Sequence, residues 1–600
     1  MKKSNALLRL WHYIRPYRWQ FFLALFGTVL MTFASVIEPY IFGLALTEVA
    51  HNAVALVQGK PMADLNVQYL LLILLLYYVR GIFYRWGMYA GQFYLTNVTQ
   101  QAIYDLRQDI SKQVNALPIA FFDAQQIGDI VSRMTNDVEA LQNAMQQSIL
   151  QIFIGALQIM MTAIMMLVLD WRMACLILLL LPINYFLGYW VIRYSQPIFK
   201  KQADALGHLF GFTQEQLSGF TEIKVYGQQE TSIAEFKKRN KNLRDIGFKS
   251  SFLSTVLQPL MGGVTDFFYV LVALAGTYLT LAGELTIGNF QAFVMYVSQI
   301  YQPINTISQL LGVLQSAFAA TGRIFTFLDE DHEKKPQHLK HLPQPIRGEV
   351  RFEHVQFGYE ADRILMKDVN FTAQPGETIA VVGPTGAGKT TLINLLMRFY
   401  DVTGGAIKID GVDIKDLTRQ ELRAQFGMVL QDAWLYHDTI MENIRFGALE
   451  AEDYEVVEAC KVANVDHFIQ TLPGGYEMEI NEEASNISLG QKQLMTIARA
   501  VLSNPNILIL DEATSSVDTR LERLIQEAME NVMEGRTSFV IAHRLSTIKN
   551  ADKILVMVQG DIVEHGTHEE LMAQGGFYYD LYNSQFNHEK EETPDFDMSY

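Results

Sequence analysis

Apolar positions crowd the first half of the chain in long runs, whereas polar positions recur at short intervals in the second half. A bilayer crossing needs about 20 mostly apolar residues. Runs of this kind predict six membrane helices, at 19–46, 66–90, 143–169, 173–194, 252–281 and 286–317. In a water-soluble protein every one of them would have to be fully buried in protein. The connections between them are unequal. Those after the second and fourth helices, about 91–142 and 195–251, are long, polar and helix-prone, while Asp170-Trp171-Arg172 and Ala282-Gly283-Glu284 make tight turns after the third and fifth. Basic residues set the orientation. They cluster at Lys2, Lys3, Arg9, Arg15 and Arg18 and again at Lys237-Lys238-Arg239-Asn240-Lys241, so the N-terminus, both long connections and the whole second half are expected on the cytoplasmic side. No short apolar core with a small-residue cleavage site follows the basic arm, which speaks against a removable signal peptide.

In the second half the period shortens to that of strands. Arg351-Phe352-Glu353-His354-Val355 alternates, and Glu377-Thr378-Ile379-Ala380-Val381-Val382 reads as a buried strand. That strand runs into Gly383-Pro384-Thr385-Gly386-Ala387-Gly388-Lys389-Thr390, followed by a helical segment at 391–399. Strand, glycine-rich loop, lysine–threonine and helix in this order form a phosphate-binding loop. Its glycines let backbone N–H groups close around phosphates, Lys389 reaches the β/γ-phosphates, Thr390 offers a hydroxyl to Mg²⁺, and Thr391 opens the helix whose dipole favours the anion. A second apolar strand, Ile507-Leu508-Ile509-Leu510, ends in Asp511-Glu512. Asp511 is placed to hold Mg²⁺, and Glu512 to polarise the water that attacks in line.

Length and charge sharpen the division. Six hundred residues exceed one domain, and 50% hydrophobic against 18% charged is too apolar for an ordinary soluble chain. Residues 1–340 carry 26 Lys/Arg against 22 Asp/Glu, and 341–600 carry 21 against 42, so the net charge of −17 comes from the second half. Nothing there offers the basic face a nucleic-acid binder needs. Cys175 and Cys460 lie in different halves and make no disulfide framework. The expected organisation is a membrane domain at 1–325, a charged, proline-containing linker at 326–346, a nucleotide-binding domain at 347–586 and an acidic, disordered tail at 587–600.

The order phosphate loop, Gln431, Ile487-Ser488-Leu489-Gly490-Gln491, Asp511-Glu512 and His543 resembles the nucleotide-binding domain of ABC transporters. Six spans ahead of one such domain resemble an exporter-type half-transporter, and the likeness covers essentially the whole chain. It implies a multidomain fold: an all-α, six-helix transmembrane domain with long cytoplasmic helical extensions, plus an α/β P-loop domain that binds ATP and Mg²⁺. The resemblance also assigns roles. Tyr359 matches the aromatic that stacks on the purine, Gln431 the glutamine that senses Mg²⁺ and the γ-phosphate, His543 the switch histidine and Asp518 the loop that communicates across the dimer. Segments 121–129 and 219–227 resemble the two coupling helices, and Glu482 the residue before the signature that touches them, although Asn481 and Glu483 depart from that motif.

Two nucleotides are sandwiched between two such domains in this family, each held by one chain's phosphate loop and the other's signature, so the resemblance implies an obligate dimer. The usual signature is Leu-Ser-Gly-Gly-Gln; here Leu489 replaces a glycine, and Leu494 stands where arginine is usual. A homodimer would put Leu489 in both sites. The preferred expectation is a heterodimer, in which this chain's Lys389, Asp511, Glu512 and His543 meet an intact signature from the partner. Ser488, Leu489, Gly490 and Gln491 then face a degenerate site.

Glu38, Arg80 and Asp266 interrupt the spans, and intramembrane charge is a functional-site hypothesis by default. One expectation is a cavity in which Glu38 and Asp266, with Tyr40, Phe267, Phe268, Tyr269, Tyr296 and Tyr301, receive amphipathic or cationic drugs; the other is an interior ion pair or an interfacial position. The expected activity is ATP-driven export of hydrophobic or amphipathic compounds across the cytoplasmic membrane. Alternatives are a lipid or peptide exporter, or a nucleotide-gated channel or regulatory subunit. The spans exclude a soluble ABC protein, and the fused domain order disfavours an importer.

Overall fold

The computed structural model describes residues 3–58, 66–333, 335–336, 338–360, 362–431, 433–482, 484–511, 519–542 and 545–586. It divides into two compact units, residues 1–115 with 126–330, and 116–125 with 331–600. The expected sites Glu512, Asp518 and His543 and the tail at 587–600 lie outside the described residues.

Six long helices carry the first unit: α1 Arg18–Val57, α2 Val67–Ala116, α3 Ile127–Leu169, α4 Trp171–Ser218, α5 Gln229–Leu281 and α6 Ile287–Leu328. Among the described residues, Leu8–Val57, Val67–Ala116, Ile127–Leu169 and Gly262–Leu281 are long and apolar enough to cross a membrane. The expected spans 173–194 and 286–317 fall on α4 and α6, and in α6 Gln291, Gln299, Gln302 and Gln309 break the apolar run. At 50 and 53 residues, α2 and α5 measure roughly 75–80 Å at the helical rise, far more than the ~30 Å of hydrocarbon. The polar connections are thus continuations of the same helices. Asp170 caps α4, accepting from Arg172 N at 2.9 Å, and Arg172 also pairs with Glu284, so the two tight turns lie together. The basic arm is tied in by Arg9 to Asp329 at 2.6 Å and by the Tyr13 and Tyr17 hydroxyls, which donate to Asp109 and Asp105 at 3.0 Å.

Pro39 lies inside α1 and has no N–H to give to the carbonyl four residues back, that of Ser35. In hydrocarbon such a carbonyl needs another donor. Gln299 Nε2 on α6 supplies it at 3.1 Å, Tyr296 Oη donates to Val36 O at 3.0 Å, and Arg80 Nη1 on α2 reaches Ala34 O at 3.4 Å. Arg80 also binds Glu38 Oε2 at 2.6 Å, and Tyr77 Oη donates to Glu38 Oε1 at 2.8 Å. Phe268, Tyr296 and Tyr301 are buried in a packed core with Met166, Phe293 and Val297. These positions correct the aromatic, acid-lined cavity at its centre. Glu38 is committed to an ion pair beside a helix break, and three of the aromatics fill the core.

The second unit holds two sheets. Strands β1 Val350–Phe357, β2 Met366–Ala373, β4 Gly404–Ile409 and β5 Val412–Asp413 form an antiparallel sheet in the order β2-β1-β4-β5. Strands β3 Thr378–Val382, β6 Phe426–Val429, β7 Ile507–Asp511, β8 Thr537–Ile541, β9 Lys553–Val558 and β10 Asp561–Gly566 form the other, ordered β10-β9-β3-β8-β7-β6. All of its pairings are parallel except β9 with β10. The central strands are near-continuous apolar runs because both faces are covered, one by a core shared with the antiparallel sheet and one by a helical core.

Replacing Gln299 with Leu should orphan the Ser35 carbonyl and destabilise the protein by ~1–3 kcal/mol, the cost of an unsatisfied buried polar group. In a Pro39→Ala background the helix can bond that carbonyl itself, so the same substitution should cost much less. Thermal unfolding of the four proteins of this cycle in nanodiscs reads the coupling, and equal losses in both backgrounds would contradict the assignment.

Candidate nucleotide site

Parallel register gathers the site at one edge of the sheet. Val381 on β3 pairs with Ile541 on β8, and Ile541 with Asp511 on β7; one step back, Leu510 pairs with Val429 on β6. The loop from Gly383, the segment containing Gln431 and Asp511 therefore leave the sheet at the same carboxyl edge, where open α/β sheets bind ligands.

The loop starts at Gly383, where an added Cβ would lie 2.3 Å from Met557 O, and ends at Gly388, whose φ of 101° starts the helix α7 Lys389–Leu396. Between them Ala387 N donates to Pro384 O at 3.1 Å, and Gly560 N, in the turn between β9 and β10, donates to Ala387 O at 2.9 Å. Lys389 Nζ donates to Gly383 O at 2.7 Å and Pro384 O at 3.2 Å, spanning the loop from inside. Burial lowers the Lys389 ammonium from its ordinary pKa and the Asp511 carboxylate opposes that shift, so the two charges sense each other across the loop. A triphosphate in the loop would restore the cation. Pro384, Thr385, Gly386 and Thr390 are exposed around it, and Ala387 and Thr391 are buried beneath.

Tyr359, just beyond β1, is half exposed, and its hydroxyl sits 3.0 Å from Thr391 Oγ1. Its ring meets Phe357 and Tyr400 edge-on, each with centroids 5.0 Å apart, leaving a held aromatic face beside the phosphate loop. Tyr400 was not foreseen in the sequence. Its hydroxyl donates to Asp123 at 2.5 Å, on the short helix Ile119–Asp123 of the first expected coupling segment, which belongs to this unit. Burial and that carboxylate raise the Tyr400 phenol. The second expected coupling segment forms a short helix, Phe220–Val225. Arg499 was likewise missed. Its guanidinium donates to Trp434 O at 2.7 Å and to Asn443, holding the stretch after Gln431, and burial lowers its pKa to about 10. An arginine in an otherwise apolar helical run was the available signal.

Ser488 is the N-cap of α8 Leu489–Ser503, and Gln491 closes a capping box by accepting from Ser488 N at 3.0 Å. Gly490 is buried. Leu489 is the first helical residue, 44% exposed. Its backbone is helical, so the lost conformational freedom of glycine is not what matters there; the isobutyl group standing at the helix N-terminus is. Leu494 is buried in the helical core, and Glu482 lies in an exposed turn before α8. Asp266 belongs to α5 in the other unit, where it is exposed.

Thr390, Asp511 and Gln431 together offer a hydroxyl, a carboxylate and an amide. Such a sparse oxygen set suits Mg²⁺, which keeps waters and substrate phosphates in its shell.

Comparison with known proteins agrees with this geometry. Residues 21–304 match the family described as the ABC transporter transmembrane region, and 366–515 match that described as ABC transporter. The chain is 44% identical over 495 residues to a fatty acid ABC transporter ATP-binding/permease protein of Mycobacterium bovis, covering 82% of this chain and 78% of that one. It is 38% identical to an uncharacterized ABC transporter ATP-binding protein of Bacillus subtilis, across 97% of this chain and 94% of the relative. A Staphylococcus aureus protein provisionally named a multidrug export ATP-binding/permease protein is 34% identical over 96% of this chain and 98% of its own length.

Lys389→Met should weaken ATP binding ~10–100-fold, the equivalent of ~1.5–3 kcal/mol for hydrogen bonds to a charged group. Tyr400→Phe should leave ATP affinity nearly unchanged, because the edge-on ring contact survives. Equilibrium binding of a fluorescent ATP analogue to both variants checks the contrast.

Proposed function

Because the chain belongs to the ABC transporter family, as an exporter-type half-transporter fusing a membrane domain to one ATP-binding domain, we propose that it forms one half of a heterodimer with unequal ATP sites. It is an ATPase-driven membrane transporter. The observation that carries the heterodimer is Leu489, exposed at the N-terminus of α8 where the signature meets the opposite chain's nucleotide. Its side chain occupies the approach to the γ-phosphate at one site only. At the other, this chain supplies Tyr359 for the purine, the backbone of 383–388, Lys389 and Thr391 for the phosphates, and Gln431, Glu512 and His543 for hydrolysis. Thr390, Asp511 and Gln431 would hold Mg²⁺, which neutralises charge on the β- and γ-phosphates. Glu512 polarises the attacking water, His543 orients the γ-phosphate, and Asp518 and Glu482 carry the change across the dimer and toward the membrane domain.

Basic clustering supports a cytoplasmic N-terminus and ATP-binding domain. Export follows when closure of two ATP-binding domains favours an outward-open membrane domain. ATP shifts that equilibrium only through its higher affinity for the closed state. The proposed substrates are hydrophobic or amphipathic compounds, as in multidrug efflux. A lipid-like substrate is the second reading, favoured by the fatty acid transporter among the relatives.

ATPase activity in nanodiscs, for this chain alone and co-expressed with a candidate partner, tests the assembly. Turnover should require the partner and fall ~100-fold or more with Glu512→Gln, in line with loss of a positioned base. Leu489→Gly should raise turnover of the chain alone. Full activity of the unaltered chain by itself would instead establish a homodimer.

A further inference from the structure

A cavity of about 320 Å³ opens among α1, α2, α3 and α6, lined by residues of the expected membrane spans and by Gly91 and Gln92 just beyond the second. Its polar lining comes chiefly from Gln92, Gln151, Gln158 and Gln302, with Thr28 and Thr32. Among the described lining residues there is no Asp, Glu, Lys, Arg or His. The two threonine hydroxyls donate to Ala24 O and Thr28 O at 2.8 and 2.9 Å, which turns their lone pairs toward whatever the cavity holds. No hydrogen bond among the described residues engages the side-chain amide of any of the four glutamines, so none of them ties two helices of this chain together. Gly87 and Gly91 let α2 approach the backbone of α1, and Gly155 lets α3 pack against Pro303 of α6, so these helices close around the space.

Gln92, Gln151 and Gln302 are exposed to the cavity and Gln158 is half-buried, so their carboxamides are left to pair with whatever fills it. A carboxamide both donates and accepts, but it cannot neutralise an ion. An ammonium or carboxylate headgroup entering here would lose its water and gain no counter-charge, a large penalty at membrane depth. We infer that this cavity receives the uncharged, multiply hydrogen-bonding headgroup of an amphiphile, such as a polyol or sugar group, and discriminates against cationic and anionic ones. The inference rests on the export reading and narrows its substrate class. The volume is near the lower end for ligand pockets and suits a headgroup, leaving the alkyl tail outside. Selection by groups that must be hydrogen-bonded is strong, because a ligand that fails to pair them leaves them orphaned.

Three amphiphiles with one C12 tail test this below their micellar concentrations: dodecyl maltoside, dodecyltrimethylammonium and laurate. The assembled transporter in nanodiscs carries Thr306→Cys as a reporter in the cavity wall, with exposed Cys175 replaced by Ser and buried Cys460 left in place. The maltoside should slow alkylation of the reporter by N-ethylmaleimide at least five-fold, at a concentration where the two ions change it less than two-fold. Equal protection by either ion, or protection by none of the three, overturns the assignment. Gln302→Glu, close to isosteric, should shift the ranking toward the ammonium; an unchanged ranking also overturns it. ATPase stimulation by the same panel is read separately. Protection without stimulation would leave the cavity assignment standing and remove the export reading.

Discussion

A backbone carbonyl that loses its helical partner inside a membrane must find another donor, and the first unit is arranged around one such place. Pro39 releases Ser35, and the answer comes from outside the helix, from Gln299 and Tyr296 on α6, with Arg80 of α2 reaching the neighbouring Ala34. Using an arginine for this brings a charge to membrane depth. Glu38, one residue before the proline, balances it. The ion pair is thus a consequence of the break in α1, and three helices are pinned at one level by directed bonds where apolar packing alone would leave them free to slide. Farther along, Thr47 repeats the device, donating to Gly43 O and accepting from Gly288 N at the start of α6.

The same frame explains where the cavity lies. Ser35, whose carbonyl is held by α6, also lines the cavity, and Thr32 and Thr28 follow toward the N-terminus of α1. Helices fixed at the proline are held together on one side of the opening, while Gly87 and Gly91 let α2 close on α1 and Gly155 lets α3 close on α6. A binding wall needs groups that do not move when the ligand arrives. Here its rigidity is borrowed from a backbone repair one turn away.

Much of this was legible in the sequence, and the boundary is physical. Long apolar runs announce helices because hydrocarbon tolerates little else, and the glycine-lysine-threonine loop announces itself because each residue type has its own part in holding the phosphates or their Mg²⁺. Glu38, Arg80 and Pro39 were each conspicuous, yet their joint meaning needs the knowledge that α2 and α6 flank α1. Tyr296 and Tyr301 looked like cavity aromatics because a one-dimensional pattern does not say which face of α6 is packed. The glutamines went unremarked for the same reason: polar and uncharged, they change meaning entirely according to what faces them. Tyr400 and Asp123, 277 positions apart, could be joined only by the fold.

In the second unit the register of the parallel sheet does the collecting, since loops that are far apart in sequence leave from one edge. On the proposed assembly, that edge gives this chain most of one ATP site, and α8 gives it a part of another. Because the two contributions would then serve different nucleotides, a side chain such as Leu489 could impair one site without touching the other. Tyr359, beside the phosphate loop, is linked through Tyr400 to Asp123 on the short helix, a path of one ring contact and one hydrogen bond. On the proposed reading, in which Tyr359 stacks on the purine, this path would carry nucleotide arrival to the expected coupling segment, in addition to whatever domain closure transmits. On the proposed assembly, that link gives the hydrolysing site a signal of its own, and the two unequal sites contribute different parts of the cycle: one keeps the domains engaged while the other opens and resets.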